Sequence, residues 1–328
     1  MAEYINIKGQ NIEVVASDPA NPTLGQIWYN STSNTLKGQG FSTAAWATGG
    51  SLSTARLLGF PSRAGTQTAS FNAGGQSPTA TVAVTEEYNG STWTGGGNLP
   101  AAKEYGAGIG TLTAGLAASG STGTGATATT EEYDGSAWTA GGSVNTARYA
   151  TGGCGTQTAG LLFGGTTGAP TATGATEEYD GTSWATSPGS LNTGRYNSTG
   201  TGTQTAGLAF GGNVTPTVLG ATEEYNGTSW ATSPGSLNTA RNYLAGAGIQ
   251  TAALGFGGAT PANTGATEEY DGNSWTSSPA SLATARSYLS GSGNTSAALA
   301  FGGLTTVKVA ATEEWTGAGP TTVTITAS

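Results

Sequence analysis

Apolar residues in this chain come in short clusters separated by glycine, serine and threonine. The run Thr205-Ala206-Gly207-Leu208-Ala209-Phe210 is stopped by Gly211-Gly212. A second cluster, Ala221-Thr222-Glu223-Glu224-Tyr225, meets Asn226-Gly227, and Ser229-Trp230 follows. No segment keeps a 3.6-residue apolar period, so helices are not expected. The pattern predicts four short strands: one around Tyr196 to Gly200, one over 205–210, one over 221–225 and one carrying Trp230. Asn-Gly suits a tight hairpin whose turn needs positive φ. The same chemistry recurs at Asn89-Gly90, Asp134-Gly135, Asp180-Gly181 and Asp271-Gly272.

Self-similarity at a fixed step is the dominant signal. Glu-Glu-Tyr ends at Tyr88, Tyr133, Tyr179, Tyr225 and Tyr270, and a sixth copy reads Glu313-Glu314-Trp315. Tryptophan follows each tyrosine at Trp93, Trp138, Trp184, Trp230 and Trp275, and Trp46 precedes them all. A basic residue comes next each time: Arg56, Lys103, Arg148, Arg195, Arg241 and Arg286. Gly-Gly pairs at Gly74, Gly164, Gly211, Gly257 and Gly302 complete the unit, with Ser119-Gly120 in the second copy. Four strands per unit are too few to bury both faces alone. Stacking the units radially does so and leaves only short edges. A β-solenoid is the alternative, but its coils are shorter and lack an internal hairpin. In a strand, Glu223 and Tyr225 share one face and Glu224 takes the other. The first glutamates (Glu86, Glu131, Glu177, Glu223, Glu268, Glu313) and the six basic residues are therefore expected to pair between strands or blades. The functional alternative is a ring of arginines gripping an anionic ligand. Tyr105, Tyr149, Tyr196, Tyr243 and Tyr288 stand just after the basic residues. Either they line a channel mouth and stack on sugars, or they pack as core. Trp side chains are expected at the interfaces between blades, and the Gly-Gly pairs at a close backbone approach.

Composition narrows the function. Glycine supplies 56 of 328 residues, yet 36% are hydrophobic and the tryptophans are periodic, which argues against disorder. A net charge of −9 makes nucleic acid an unsuitable partner. The single cysteine, Cys154, allows no intrachain disulfide and reads as a small buried residue. No apolar run reaches the ~20 residues of a membrane span, so no membrane insertion is expected. Met1-Ala2-Glu3-Tyr4 lacks the basic-then-apolar pattern of a signal peptide, so synthesis in a cytoplasm is expected.

In order, Gly211-Gly212, Glu223-x-Tyr225, Trp230 and Arg241 resemble the kelch repeat, over about residues 46 to 315. The repeat is nearer 45 than 50 residues and its third hairpin is tighter. The Asp-Gly-x-Ser-Trp runs are a weaker match to sialidase-type Asp boxes. The resemblance implies an all-β fold: a six-bladed kelch-like β-propeller of four-stranded antiparallel blades over 41–328. The first 40 residues are expected to form a short N-terminal β-hairpin extension; either the C-terminal run Thr321 to Thr326 or the segment around Phe41 to Trp46 supplies the last blade's missing strand, and the latter is favoured. Galactose oxidase shares such repeats, and that likeness would imply a copper site with histidine ligands. This chain has no histidine, so no metal, no cofactor and no enzyme activity are expected. Residues Asp18 to Lys37, with Ile27-Trp28-Tyr29 returning as Thr35-Leu36-Lys37, resemble a short motif of tailed-phage fibre and tail-associated proteins. That implies a virion protein, made in the host cytoplasm, with other virion proteins as partners and a host surface polysaccharide or protein as ligand. The remaining readings are an N-terminal strand pair that merely caps the propeller, and a cellular kelch-type protein-interaction module. A carbohydrate-active enzyme is the least favoured.

Overall fold

The computed structural model describes residues 12–325. Among them every regular element is a strand, and the architecture is all-β, compatible with a β-propeller. The chain divides into two compact units, one reaching Ala45 and including the residues from Gly317, the other spanning Trp46–Thr316. The boundary thus falls five residues later than expected, and the C-terminal tail belongs with the N-terminal unit. The reason is strand pairing: Gly319–Thr324 runs antiparallel along Thr35–Ser42, with Gly38 opposite Val323.

In the N-terminal unit, Ile27–Asn30 and Thr35–Ser42 form the expected hairpin, with Trp28 opposite Lys37. The Asn30 side chain accepts from the backbone of Thr32 and Ser33, and Asn34 closes the turn at φ 55°. Asp18 ties the unit together. Its carboxylate accepts from Trp28 Nε1 at 3.0 Å, Asn30 Nδ2 at 2.7 Å and Lys37 Nζ at 2.7 Å. The buried Trp28 indole therefore has its polar edge satisfied, as buried tryptophan requires.

The repeat unit contains six four-stranded antiparallel sheets. The fourth is typical: Thr199–Thr203, Ala206–Phe210, Thr222–Tyr225 and Trp230–Thr232 pair in order. Its first strand begins three residues later than predicted, because Asn197 takes a left-handed turn at φ 60°. The Asn226-Gly227 turn is a four-residue loop. Asn226 Oδ1 accepts from the backbone of Thr228 and Ser229, and only Gly227 has positive φ. The sixth sheet takes three strands from 290–316 and its fourth from Ala45–Gly49, so the N-terminal segment completes it. First strands lie side by side from Phe60–Pro61 through Ala107–Thr111, Gly152–Thr156, Thr199–Thr203 and Ala245–Ile249 to Ser290–Gly293. This last strand lies against Phe60–Pro61.

One ion pair sits inside each sheet. Arg56 meets Glu86 at 2.5 Å, Arg195 meets Glu223 at 2.5 Å and Arg241 meets Glu268 at 2.8 Å. Lys103–Glu131, Arg148–Glu177 and Arg286–Glu313 repeat the pairing. All six basic residues are at most 1% exposed, so they are tolerated only because their charge is matched and several donors are used, although the Nε–H of Arg56, Arg148, Arg241 and Arg286 has no partner. Arg241 also donates to the carbonyls of Gly257 and Ala266, and Arg195 to those of Gly211 and Ala221. The second glutamate oxygen accepts a backbone N–H, from Asn192 to Glu223 and from Asn238 to Glu268, each at 2.6 Å. Pro100 occupies that donor position in the second sheet and has no N–H. There the Lys103 ammonium lies against the same oxygen of Glu131 instead.

Bonds between sheets use the other landmarks. Trp275 Nε1 donates to Thr222 Oγ1 of the preceding sheet at 2.8 Å, and its ring lies 4.7 Å from Phe210. Trp93 of the first sheet does the same to Thr312 and Phe301 of the sixth. The tyrosine of each triplet donates to the second glutamate of the preceding sheet, as Tyr270 does to Glu224 at 2.6 Å. Burial, then the adjoining carboxylate, pushes Tyr88, Tyr179, Tyr225 and Tyr270 up to about 12.

Two outcomes follow. Arg241→Ala should cost about 3–5 kcal/mol in a denaturant melt, since it strands a buried carboxylate and two carbonyls; a loss under 1 kcal/mol would disprove this account. In the N-terminal unit, hydrogen bonds from Lys37, Asn30 and Trp28 pull the Asp18 carboxyl down to about 2 from 3.8. A depressed carboxyl stabilises the folded state above its unfolded value and loses that stabilisation as pH falls through the folded one. The environment of Trp28, read by fluorescence, should therefore hold to about pH 4 and loosen toward pH 2, and Asp18→Asn should flatten that transition.

Candidate functional site

The chain turns into each first strand through a non-glycine residue with positive φ. These are Leu58 (59°), Tyr105 (65°), Ala150 (58°), Asn197 (60°), Tyr243 (54°) and Tyr288 (56°). All stand two positions after the basic residue. Left-handed backbone is unfavourable for residues bearing a Cβ and costs on the order of 1–3 kcal/mol each. A continuous cycle of backbone hydrogen bonds offsets that strain. Tyr105 N–H donates to Leu58 O, Ala150 to Tyr105, Asn197 to Ala150, Tyr243 to Asn197, Tyr288 to Tyr243, and Leu58 to Tyr288, over 2.6–3.2 Å.

The five tyrosines singled out from sequence do not form one set. Tyr105, Tyr243 and Tyr288 belong to the cycle, and their rings line a cavity of about 480 Å³ with Gln76, Glu104 and Lys308. Tyr243 and Tyr288 stack at 3.8 Å between centroids, and the Tyr105 hydroxyl bonds to Asn197 Oδ1. Tyr149 and Tyr196 stand one position earlier and do not line the cavity, although the Tyr149 ring lies 5.6 Å from that of Tyr105. The Tyr149 hydroxyl accepts from Ala169 N at 3.3 Å, and that of Tyr196 meets Thr215 Oγ1. Each props the connection between the second and third strands of its own sheet, where short extra hairpins such as Thr166–Gly168 with Thr171–Ala172 are inserted. The offset was visible as Arg148-Tyr149-Ala150 against Lys103-Glu104-Tyr105.

Burial raises the Tyr105 hydroxyl, reinforced by Tyr243 and Tyr288, and it raises Tyr288 similarly. These hydroxyls stay protonated and act as hydrogen-bond donors. Glu104 is also raised by burial, and Thr81 and Lys308 oppose the shift. Lys308 Nζ donates to Ser77 O at 2.6 Å and Thr81 Oγ1 to Glu104 at 3.1 Å, so the first sheet's long connection is held from both sides. The six paired basic residues are enclosed within their sheets and present no arginine ring to a ligand.

Both glycines of each pair have positive φ, as do Ser119 and Gly120. The second N–H donates to the carbonyl of the next basic residue, Gly212 to Arg241 at 2.9 Å and Gly303 back to Arg56 at 2.9 Å. A Cβ on Gly212 would lie 2.8 Å from the Tyr196 carbonyl, so the position is closed to side chains.

Sequence reasoning passed over Arg63. Eleven residues separate Arg56 from Gln67, whereas nine separate Arg195 from Gln204. Arg63-Ala64 is thus a two-residue insertion in one unit alone, which was the available signal. Among the described residues, no three His, Cys, Asp or Glu side chains are grouped to hold a metal ion. No family model matches the chain, and no curated protein matches it.

The cycle should behave as one element in hydrogen exchange. Amides of Leu58, Tyr105, Ala150, Asn197, Tyr243 and Tyr288 should exchange only with global unfolding. Exchange as fast as in the Thr166–Ala172 hairpin would show that the cycle opens locally.

Proposed function

We propose that this chain is a non-enzymatic virion component, a kelch-like β-propeller carried on an N-terminal attachment unit. On this reading the six sheets are its blades, and it binds a saccharide of a host surface. The observation that carries the proposal is the cavity walled by Tyr105, Tyr243 and Tyr288 and edged by Gln76, Glu104 and Lys308. Aromatic faces suit the apolar C–H faces of a sugar ring, and the few polar groups suit its hydroxyls. The hairpins inserted after the second strands differ from sheet to sheet, and variable loops on a rigid scaffold are where recognition is usually placed. The reading is further supported by the likeness of residues 18–37 to phage tail-associated proteins, and in this chain that segment folds around Asp18. A neighbouring virion protein is the second candidate ligand, favoured by the exposed side chains of those same hairpins.

Binding to immobilised bacterial surface polysaccharides tests the proposal. Tyr243→Ala should weaken retention at least about tenfold, the scale of one lost aromatic contact, with the melting temperature little changed. Retention equal to wild type would remove the cavity from the account. Labelled antibody against the chain should decorate intact particles; its absence from particles would reject the virion assignment.

A further inference from the structure

Nine of the chain's ten basic residues lie within the described segment, and seven of those nine meet a carboxylate. Lys308 and Arg63 do not. Lys308 spends its charge on a backbone carbonyl. Arg63 Nη1 donates to Thr199 Oγ1 at 2.6 Å and to Gly200 O at 3.4 Å, and its Nε–H is shielded from solvent and, as in four of the paired arginines, has no partner. Thr199 belongs to the fourth sheet, so the side chain reaches from the first sheet across to a distant one. Arg63 borders two cavities. One of about 60 Å³ is also lined by Thr151 and Ser198, and one of about 290 Å³ by Cys154 and Thr201. Neither lining contains a carboxylate.

The hydroxyls of Thr151, Ser198 and Thr201 are likewise buried without a hydrogen-bond partner. Four unpartnered polar groups therefore border these two cavities; Arg56, Arg148, Arg241 and Arg286 also have an unpartnered Nε–H, but each of those side chains meets a carboxylate and Arg63 does not. Desolvation draws the guanidinium down to about 10, so it stays charged at neutral pH. Cys154 is no counterion, because burial pushes its thiol up to about 12 and its Sγ faces Thr203 O. Arg63 is a half-buried cation lacking an anion, and the buried hydroxyls lacking partners add to the cost of the arrangement.

We propose that Arg63, Thr151 and Ser198 form a site for one small free oxyanion of sulfate or phosphate size. A single water needs about 10–15 Å³ of such space, so 60 Å³ admits a small polyatomic ion and excludes a sugar. The guanidinium supplies charge and a directed Nε–H, and the hydroxyls supply donors whose protons rotate to meet oxygen. The larger cavity, bordered by Thr201 and Cys154, supplies the approach. The 60 Å³ cavity shares Leu58, Tyr105, Tyr243 and Tyr288 with the cavity of the saccharide reading, but Arg63, Thr151 and Ser198 line only the former.

Calorimetric titration of the full chain with sodium sulfate and sodium phosphate, at constant ionic strength in chloride, tests the proposal. Wild type should give a saturable one-to-one isotherm and a saturable rise in melting temperature. Arg63→Gln should abolish both, and Ser198→Ala should weaken binding about tenfold, the scale of one hydrogen bond to a charged group. A non-saturating rise shared by wild type and Arg63→Gln is the general exclusion effect of these salts and would overturn the site. If Arg63→Gln fails to fold, the Ser198→Ala isotherm decides: unchanged affinity overturns the proposal, and weakened affinity supports it.

Discussion

Every sheet in the repeat unit depends on one buried basic side chain whose hydrogen atoms are shared between a carboxylate and the backbone. The guanidinium of Arg241 joins the third strand, through Glu268, to carbonyls at the end of the second strand and the start of the third. It holds in place the link that enters the sheet, because the Asn238 N–H closes on the other oxygen of Glu268. Replacing such a pair by apolar groups would leave those carbonyls orphaned, which is why a buried charge is tolerated here at all. The second sheet shows how tightly the parts are coupled. Where proline removes the backbone donor, the cation shifts onto the oxygen left open.

Adhesion between sheets is handled by neutral groups instead. Indole to threonine, phenol to carboxylate and aromatic ring to aromatic ring recur from one sheet to the next. The sixth sheet departs from this. Its third strand carries Trp315 in place of tyrosine, and the indole turns to Thr295 O, so Glu269 receives no phenol from it. Features that distinguish one unit from another are therefore more informative about binding than those that recur. The tyrosine pair at 243 and 288, the Glu104 and Lys308 edges and the inserted Arg63 each occur once.

Much of the scaffold was legible because repetition turns weak local signals into strong ones. Six Glu-Glu-aromatic triplets marked the third strands, and Ile27-Trp28-Tyr29 returning as Thr35-Leu36-Lys37 marked the N-terminal hairpin. Strand starts were less legible. A left-handed Asn197 or Tyr243 carries no compositional mark, since its conformation is imposed by a backbone bond from the neighbouring unit. For the same reason five tyrosines looked alike when only three share a backbone position. Arg63 was hidden differently: a two-residue insertion in one copy is easily absorbed into loop variation.

Strand Ala45–Gly49 completes a sheet whose other three strands lie at the far end of the repeat unit. The pairing joins residues separated by nearly the whole chain, and loop closure over such a span is slow. During synthesis the earliest segment must wait, with an apolar tryptophan exposed, until the last repeat has left the ribosome. Until then the sixth sheet lacks its fourth strand, and its third presents a bare edge able to pair with another chain. The glycines interspersed in the first strands lower the β propensity and apolar area that such an edge exposes.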